Sequence, residues 1–452
     1  MGARAHWGTR LGFVLAAAGS AIGLGNIWKF PYITGVNGGG LFVLIYLGCV
    51  ALVGIPVLLA EVLLGRAAQS SPVGAFRTLA SRRSPWVGVG WLGVAAAVII
   101  LSYYSVVAGW TLHYVGLAVS GRFAGVSEAE VRSWFSELHA RGDYNLLWHA
   151  VVMGLTTATV AGGVKRGVEI AARVLMPLLF LMMLVLLIYA STLKGFGEAL
   201  SFVFAPHTEQ LSAAGVLEAL GHSFFTLSVG MGAMLTYGSY LSREDNLVAS
   251  AISVGVLDTV VGLAACAILF SITFTFGMKA SAGPGLVFIN LPVAFSQLPL
   301  GNLWAGMFFL LLAFAALTSA ISLLEVACAY LVDERGWTRH RAALLAGSVI
   351  FLAGVPSALS GGTGWASRGV FGRSWFDAFD YTASNWLLPA GGLGIALFTS
   401  WRMGGEARRV AFESGSRLGR AAWFYTGWLV LLRYVVPLAI LLVALRAIGV
   451  LR

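Results

Sequence analysis

Asp258 stands inside an apolar run, Val254 to Ile272, where an unpaired carboxylate is expensive and a functional role is the default reading. Glu61 is the single acid of a second such run, Leu41 to Gly65. A third group carries no charge. Ser20-Ala21-Ile22-Gly23-Leu24-Gly25-Asn26 places two glycines and an amide in a segment otherwise hydrophobic enough for lipid. Phe224-Phe225-Thr226-Leu227-Ser228-Val229-Gly230-Met231-Gly232 has the same character, with Gly230-Met231-Gly232 answering Gly23-Leu24-Gly25. Glycine weakens a helix by about 1 kcal/mol against alanine, so each helix unwinds most easily there. In a bilayer, freed backbone groups persist only when buried in protein or lining a polar cavity. Free carbonyls, amide and hydroxyl oxygens and a fixed carboxylate are groups that hold small hard cations. The chemistry implied is binding, not bond making.

The elements that position these groups are membrane helices. The chain has 452 residues, 58% hydrophobic and 11% charged, and a mean hydropathy of +0.85. A soluble protein carries roughly 25% charged residues. Long apolar runs recur from end to end, each long enough for the roughly 20 helical residues that cross a hydrocarbon core. The first run is too long for a cleaved signal and lacks a small-residue cleavage pattern. The formal charge of +10 does not read as a nucleic-acid surface, because Arg66, Arg77, Arg82, Arg83, Lys165, Arg166, Arg335, Arg339, Arg341, Arg402, Arg408, Arg409, Arg417 and Arg420 fall in alternate loops. That is the positive-inside pattern, and it places the N-terminus, with Arg4 and Arg10, in the cytoplasm. Cys49, Cys266 and Cys328 lie far apart in apolar runs and suggest neither a disulfide nor a metal cluster.

Eleven spans follow from the hydropathy: Thr9 to Val36, Leu41 to Gly65, Trp86 to Ser120, Leu146 to Ala161, Ala172 to Thr192, Ala214 to Tyr240, Asn246 to Phe276, Leu303 to Leu331, Arg341 to Val355, Ser374 to Trp401 and Ala421 to Leu445. Lys165-Arg166 reads as the inner loop between spans four and five, and Gly121 to Asp143 as a partly amphipathic outer loop. Ser281 to Leu300, with three prolines, reads as a folded outer lid, and Ser357 to Arg373 as a Gly/Ser-rich outer loop. An odd number of crossings leaves the C-terminus outside. Gly-interrupted segments at corresponding positions point to a repeat-built transporter with its site at the midplane. The two interrupted spans are five apart, an odd number, so the second copy enters from the opposite side. The division expected is a cytoplasmic segment 1–8, a first repeat 9–192, an outer connection 193–213, an inverted repeat 214–401, and a cytoplasmic loop with the eleventh span at 402–452.

His6-Trp7, Gly23 through Tyr32 (GLGNIWKFPY), Asn37-Gly38-Gly39-Gly40, and Gly54-Ile55-Pro56 through Glu61 to Gly65-Arg66 closely resemble the neurotransmitter:sodium symporter family. The resemblance covers the first ten spans. The Gly-Met-Gly of span six is similar to bacterial, leucine-transporter-like members that carry hydrophobic and aromatic amino acids. What it implies is an all-α polytopic fold of five plus five inverted helices with an extra eleventh, in the bacterial inner membrane, and sodium-coupled uptake of a hydrophobic L-amino acid by alternating access. Partners are the substrate and the bilayer, with the protein a monomer or weak dimer.

Carried over residue by residue, the resemblance puts one sodium among the Ala21 carbonyl, Asn26, Thr226 and Asp258, beside the substrate carboxylate. A second sodium falls among Gly19, Ile22, Ala315, Thr318 and Ser319. The substrate pocket is implied to include Leu24, Gly25, Ile100, Tyr104, Phe225, Ser228, Met231, Ser319 and Leu323, with Ala21 and Thr226 alongside. Lys29 and Asp380 match the family's outer ion pair, Arg4 and Asp333 its inner pair, with Trp7 and Tyr240 nearby. Glu61 is expected to tie the unwound backbone of span six, or to take a proton in antiport. Tyr46, Ser228 and Asp258 match the neighbourhood that binds chloride in animal members, but His222 and Gly262 depart from it. Asp258 then supplies the negative charge itself, and chloride is not required.

Taken singly, these residues have plainer readings. One Gly-x-Gly in a membrane helix serves close helix packing as readily as binding, and Asn26 alone suits an interhelical hydrogen bond. Thr318 and Ser319 can bond back to carbonyls of their own helix, and Ile100 and Leu323 are ordinary core residues. An intramembrane enzyme built on Glu61, Asp258 and His222 lacks any accompanying metal or nucleophile motif. A substrate-gated channel or transporter-derived sensor shares every feature of the fold.

Overall fold

The computed structural model describes residues 5–206, 211–279, 286–362, 369–370 and 372–447. Among these residues it is helical throughout, with one isolated β-bridge between Val370 and Arg373. All eleven expected spans are present as helices. Seven are long and apolar enough to cross a membrane on their own, and Arg10–Ala21 with Gly25–Val36 makes an eighth, bent by 48°. Spans four, six and ten fall short by that measure. Span four, Gly142–Ala161, carries polar side chains, span six is interrupted, and the outer half of span ten, from Trp375, holds Asp377 and Asp380.

Burial sorts the long helices into centre and rim. The apolar stretches of Val87–Val119 and Gly301–Arg335 are each 78% buried, so spans three and eight form the middle of the molecule. Those of Val164–Ser191 and Ala422–Arg446 are 28% buried, which places spans five and eleven at the periphery, facing lipid. Helix starts follow capping chemistry. The Thr9 side chain accepts from Gly12 N ahead of span one, Ser212 from Gly215 N ahead of span six, and Asn246 from Ala249 N ahead of span seven. Pro31 follows directly on the wide helical turn Gly25–Lys29, so its missing N–H falls where the regular hydrogen-bond ladder is already interrupted.

Several boundaries differ from those read off the sequence. Span five begins at Val164, not Ala172, so Lys165 and Arg166 lie in its first turn and not in a loop. The turn itself is made by Gly163 at φ 86, and the two basic side chains are exposed, their apolar stems free to reach the interface. The connections treated as loops contain helices: Pro72–Leu79, Glu128–Ala140 and Gly405–Glu413. Glu128–Ala140 carries a full capping box between Ser127 and Glu130, a signal present in the sequence but weaker than the hydropathy contrast around it. Of the outer lid, Leu286–Ser296 is helical. Span nine extends to Leu359 and absorbs the first residues assigned to the following loop.

Candidate functional site

Both Gly-x-Gly helices are broken. In span one the helix Arg10–Ala21 stops, Ile22 is extended, and helical backbone resumes with a wide turn over Gly25–Lys29. In span six Ala213–Thr226 stops, and the chain runs through Ser228, Gly230 and Gly232, all at positive φ, before Ala233–Gly238. Gly230 is required twice over. Its φ is 83, and a Cβ there would lie 2.4 Å from the carbonyl oxygen of Leu388 in span ten. Glu61 of span two satisfies the freed N–H groups, accepting from Gly230 N at 2.5 Å and Leu235 N at 3.2 Å. This is the tie expected of it, and it accounts for the buried carboxylate through hydrogen bonds to backbone donors.

Oxygen ligands gather where the two breaks meet spans seven and eight. The Asn26 amide donates to Asp258 Oδ1 at 2.7 Å and to the Asp258 carbonyl at 3.1 Å. The Thr226 hydroxyl lies 3.1 Å from both Asp258 carboxylate oxygens, and Asn26 Oδ1 accepts from Gly23 N at 3.1 Å. All three side chains are essentially buried. At the end of the first half-helix the freed carbonyls turn outward. Gly19 O accepts from Ser319 Oγ at 3.3 Å, and Ser20 O from Ser319 and Ser228 at 3.1 and 2.7 Å. Thr318 bonds back to Phe314 and Ala315 in its own helix, the plainer of its two readings, although a Cβ on Gly19 would lie 3.1 Å from its Cβ. Gly19, Thr318 and Ser319 therefore converge, with Ala315 just before Thr318 on the same helix; Ala21 and Ile22 stand at the break itself.

A cavity opens beside this cluster. Its polar end holds Ser20, Ser228 and Ser319, and its apolar walls are Ile100, Phe225, Met231 and Leu323. Ala21, Gly23, Gly25 and Tyr104 complete it. The Tyr104 hydroxyl accepts from Leu24 N at 3.1 Å, which ties span three to the unwound backbone of span one. Two residues differ from expectation. Leu24 and Thr226 do not line the cavity: Leu24 contributes its N–H to Tyr104, and Thr226 turns to Asp258. Ser20 and Gly23 line it instead, because the extended residue Ile22 rolls the chain over and exposes the preceding turn. A Cβ on Gly23 would sit 2.6 Å from Ser319 Oγ and 2.8 Å from Tyr104 Oη.

The model of the sodium:neurotransmitter symporter family matches residues 4–125 and 127–449 of this chain. An uncharacterised sodium-dependent transporter of Bacillus subtilis, YhdH, is 41% identical over 446 residues, covering 99% of this chain and 98% of that protein. The chain belongs to the sodium:neurotransmitter symporter family. The crystal structure of MhsT in complex with L-phenylalanine shares 43% identity and a TM-score of 0.89, over 98% of this chain and 100% of that one. A human relative, sodium- and chloride-dependent GABA transporter 2, is 28% identical over 449 residues, 88% of this chain and 72% of that protein. The symporter is thus a transporter and not an enzyme, on the bacterial, leucine-transporter-like branch, with two inverted sets of five helices and an eleventh.

The outer gate of this symporter family member departs from the sequence-based expectation. Among the described residues Lys29 forms no ion pair with Asp380 within 4 Å, although the two remain electrostatic neighbours. Its ammonium stands 5.1 Å above the centre of the Phe225 ring, a cation–π arrangement, while Asp380 accepts from Tyr103 Oη at 2.9 Å and Ser384 Oγ at 3.1 Å. Lysine offers a single point charge without the planar fork that locks an arginine to a carboxylate, so the aromatic face competes for it. On the inner side Trp7 is packed edge-on against Phe13, Tyr237 and Tyr240, and its indole donates to Tyr237 O at 3.0 Å. Asp333 accepts from Ser71 N at 2.7 Å; Arg4, its expected partner, lies outside the described residues.

Sequence reasoning named Tyr240 at the inner end but not the Glu325–Arg339 pair that braces it. Glu325 receives the Tyr240 hydroxyl at 2.5 Å and the guanidinium of Arg339, at 2.7 Å for one nitrogen, with a second bond between the same pair. A buried acid in span eight and an arginine just beyond Gly336 were the available signal. Arg433 in span eleven donates twice to Ser400 O and lies 5.1 Å from the Trp401 ring. Arg408 fills the carbonyls of Thr399 and Ser400 alongside it. Neither ring nitrogen of His222 has a protein partner among the described residues, and the ring is stacked parallel to Phe30 at 5.7 Å with Tyr46 also 5.7 Å away.

Proposed function

We propose that the chain couples sodium entry to uptake of a hydrophobic L-amino acid, aromatic or branched aliphatic, by alternating access and without chloride. The observation that carries this reading is the juxtaposition of the Asn26–Thr226–Asp258 oxygen cluster with an apolar pocket, at the point where two helices break. The substrate carboxylate would sit at the polar end, against the unwound backbone of span one and the Tyr104 hydroxyl, completing the shell of one sodium. Its side chain would enter the space between Ile100, Phe225, Met231 and Leu323. Methionine is flexible and accommodates varied shapes, which suits several hydrophobic substrates. That the neighbour MhsT was solved with L-phenylalanine supports an aromatic substrate.

One sodium would bind at Asn26, Thr226, Asp258 and the Ala21 carbonyl, and a second at Gly19, Ile22, Ala315, Thr318 and Ser319. Asp258 places a fixed negative charge beside the first, the role chloride would otherwise serve. Spans one, two, six and seven would rock against three, four, eight and nine, with the repeats at 9–192 and 214–401. Sodium drives the cycle only through unequal affinity for the two forms. The orientation supported by the basic loops has the N-terminus cytoplasmic and the C-terminus outside, in a bacterial inner membrane, as a monomer or weak dimer.

Uptake of radiolabelled leucine, tryptophan, tyrosine and alanine into proteoliposomes tests the reading. Accumulation is expected with an inward sodium gradient and is lost when choline replaces sodium. Conductance without saturable accumulation would instead identify a channel, and amino-acid affinity indifferent to sodium would end the proposal.

A further inference from the structure

We propose that Glu169 is a positioning residue that latches the cytoplasmic half of span one shut, an inference that rests on the alternating-access reading above. Glu169 lies in the wide first turn of span five, Val164–Glu169, and its side chain is only 3% exposed although it is an acid near the inner surface. Acids are almost never so buried without a task or a partner. One of its partners lies ahead of span one and the other lies one turn along span five. Oε2 accepts the backbone N–H of Gly8 at 2.7 Å, ahead of span one, and Oε1 accepts from Arg173 Nη2 at 2.5 Å. The same Arg173 nitrogen donates to the Thr9 hydroxyl at 2.6 Å, and that hydroxyl caps span one by accepting from Gly12 N at 3.0 Å. One carboxylate and one guanidinium of span five thus hold the residues that start span one.

The fit leaves room for nothing else. A Cβ on Gly8 would lie 3.1 Å from Glu169 Oε1, and one on Gly12 would lie 2.2 Å from it. Glycine is otherwise a poor choice at position 12, inside the helix Arg10–Ala21, where alanine would be better by about 1 kcal/mol. Close approach of the carboxylate explains both glycines. The inner end of span one is also held from the other side, by Trp7 on Tyr237 and Tyr240 and by Arg10 on Ser250. Those contacts link span one to spans six and seven, which move with it in the rocking scheme. Glu169 and Arg173 link it to span five, outside that group. Opening that parts the inner end of span one from span five breaks the second set and can keep the first. Charge-assisted hydrogen bonds are about twice as strong as neutral ones, so this set biases the closed form.

Hydrogen exchange of the segment 6–12 in proteoliposomes, read with sodium-driven uptake on the same samples, tests the latch. In the unsubstituted protein sodium is expected to slow exchange of this segment. Glu169→Ala should raise its exchange by about tenfold and raise the sodium concentration for half-maximal uptake several-fold, with maximal velocity kept, as losing a charge-assisted bond of one closed state requires. Glu169→Gln retains an acceptor for Gly8 N and should fall between. Gly12→Ala keeps the acid and strengthens the helix, yet should reproduce Glu169→Ala by displacing the carboxylate. Exchange of the segment unchanged in both Glu169→Ala and Gly12→Ala, while sodium still protects it in the parent, would overturn the latch and leave the transport reading standing. A parent that accumulates no substrate with sodium would overturn that reading and the latch with it.

Discussion

The Asn26 amide of span one and the Asp258 carboxylate of span seven meet at 2.7 Å, and the Thr226 hydroxyl of span six joins them at 3.1 Å. Three helices therefore share one buried carboxylate. If that charge replaces chloride, uptake by the unsubstituted protein is indifferent to exchanging chloride for gluconate at constant sodium. Asp258→Asn is expected to make uptake chloride-dependent, with Asp258→Ala losing sodium-dependent binding altogether. Loss of wild-type uptake in gluconate refutes the assignment.

Glu61 answers two N–H groups of the unwound span six from within span two. Removing a buried acceptor leaves each donor with a penalty of about 1–3 kcal/mol. Glu61→Ala should therefore lower the thermal midpoint markedly, and Glu61→Gln less, since its amide carbonyl still serves one donor. Thermal unfolding in detergent and uptake velocity check both. Equal midpoints for the two variants and the parent would contradict the tie.

Leu323 and Ile100 are apolar residues lining the pocket. Removing or adding a methylene in such a pocket changes discrimination by about 1–3 kcal/mol, or 10- to 200-fold. Leu323→Ala should weaken leucine relative to tryptophan, and Leu323→Phe should do the reverse. Competition of each amino acid against a radiolabelled substrate measures the ratio, and identical ratios would remove Leu323 from the pocket.

Arg339 and Glu325 pair in the inner half of the molecule, with Tyr240 on the same carboxylate. Breaking one side of a buried pair costs about 3–5 kcal/mol, because the other charge stays behind. Glu325→Ala is expected to destabilise strongly, and Glu325→Ala with Arg339→Met to recover much of that loss. A double variant no more stable than the single would show that the pair is not coupled.

Lys29 over Phe225, with Asp380 held by Tyr103, predicts weak coupling across the outer gate. In a double-mutant cycle, Lys29→Gln and Asp380→Asn should be nearly additive in their effect on substrate affinity. A coupling of a full kcal/mol or more would restore the ion pair in the substrate-bound form.

Much of this molecule was legible before any coordinates. Apolar runs long enough for a bilayer have one stable backbone solution, the helix, so span number and order followed from hydropathy. Paired glycines announced both breaks, since only they relieve the backbone at so small a cost, and charges inside Val254 to Ile272 and Leu41 to Gly65 marked Asp258 and Glu61 as partnered. Tertiary structure decided the rest, because it depends on which helix faces which. That Thr226 turns to Asp258 and Ser20 into the cavity is set by how far the chain rolls at Ile22 and Ser228, which no local pattern encodes. That Lys29 sits on an aromatic ring, Arg433 on the Ser400 carbonyl and Glu169 on Gly8 arises from contacts across more than thirty residues or between separate spans. A charge in sequence declares its need for a partner; only the packed bundle chooses one.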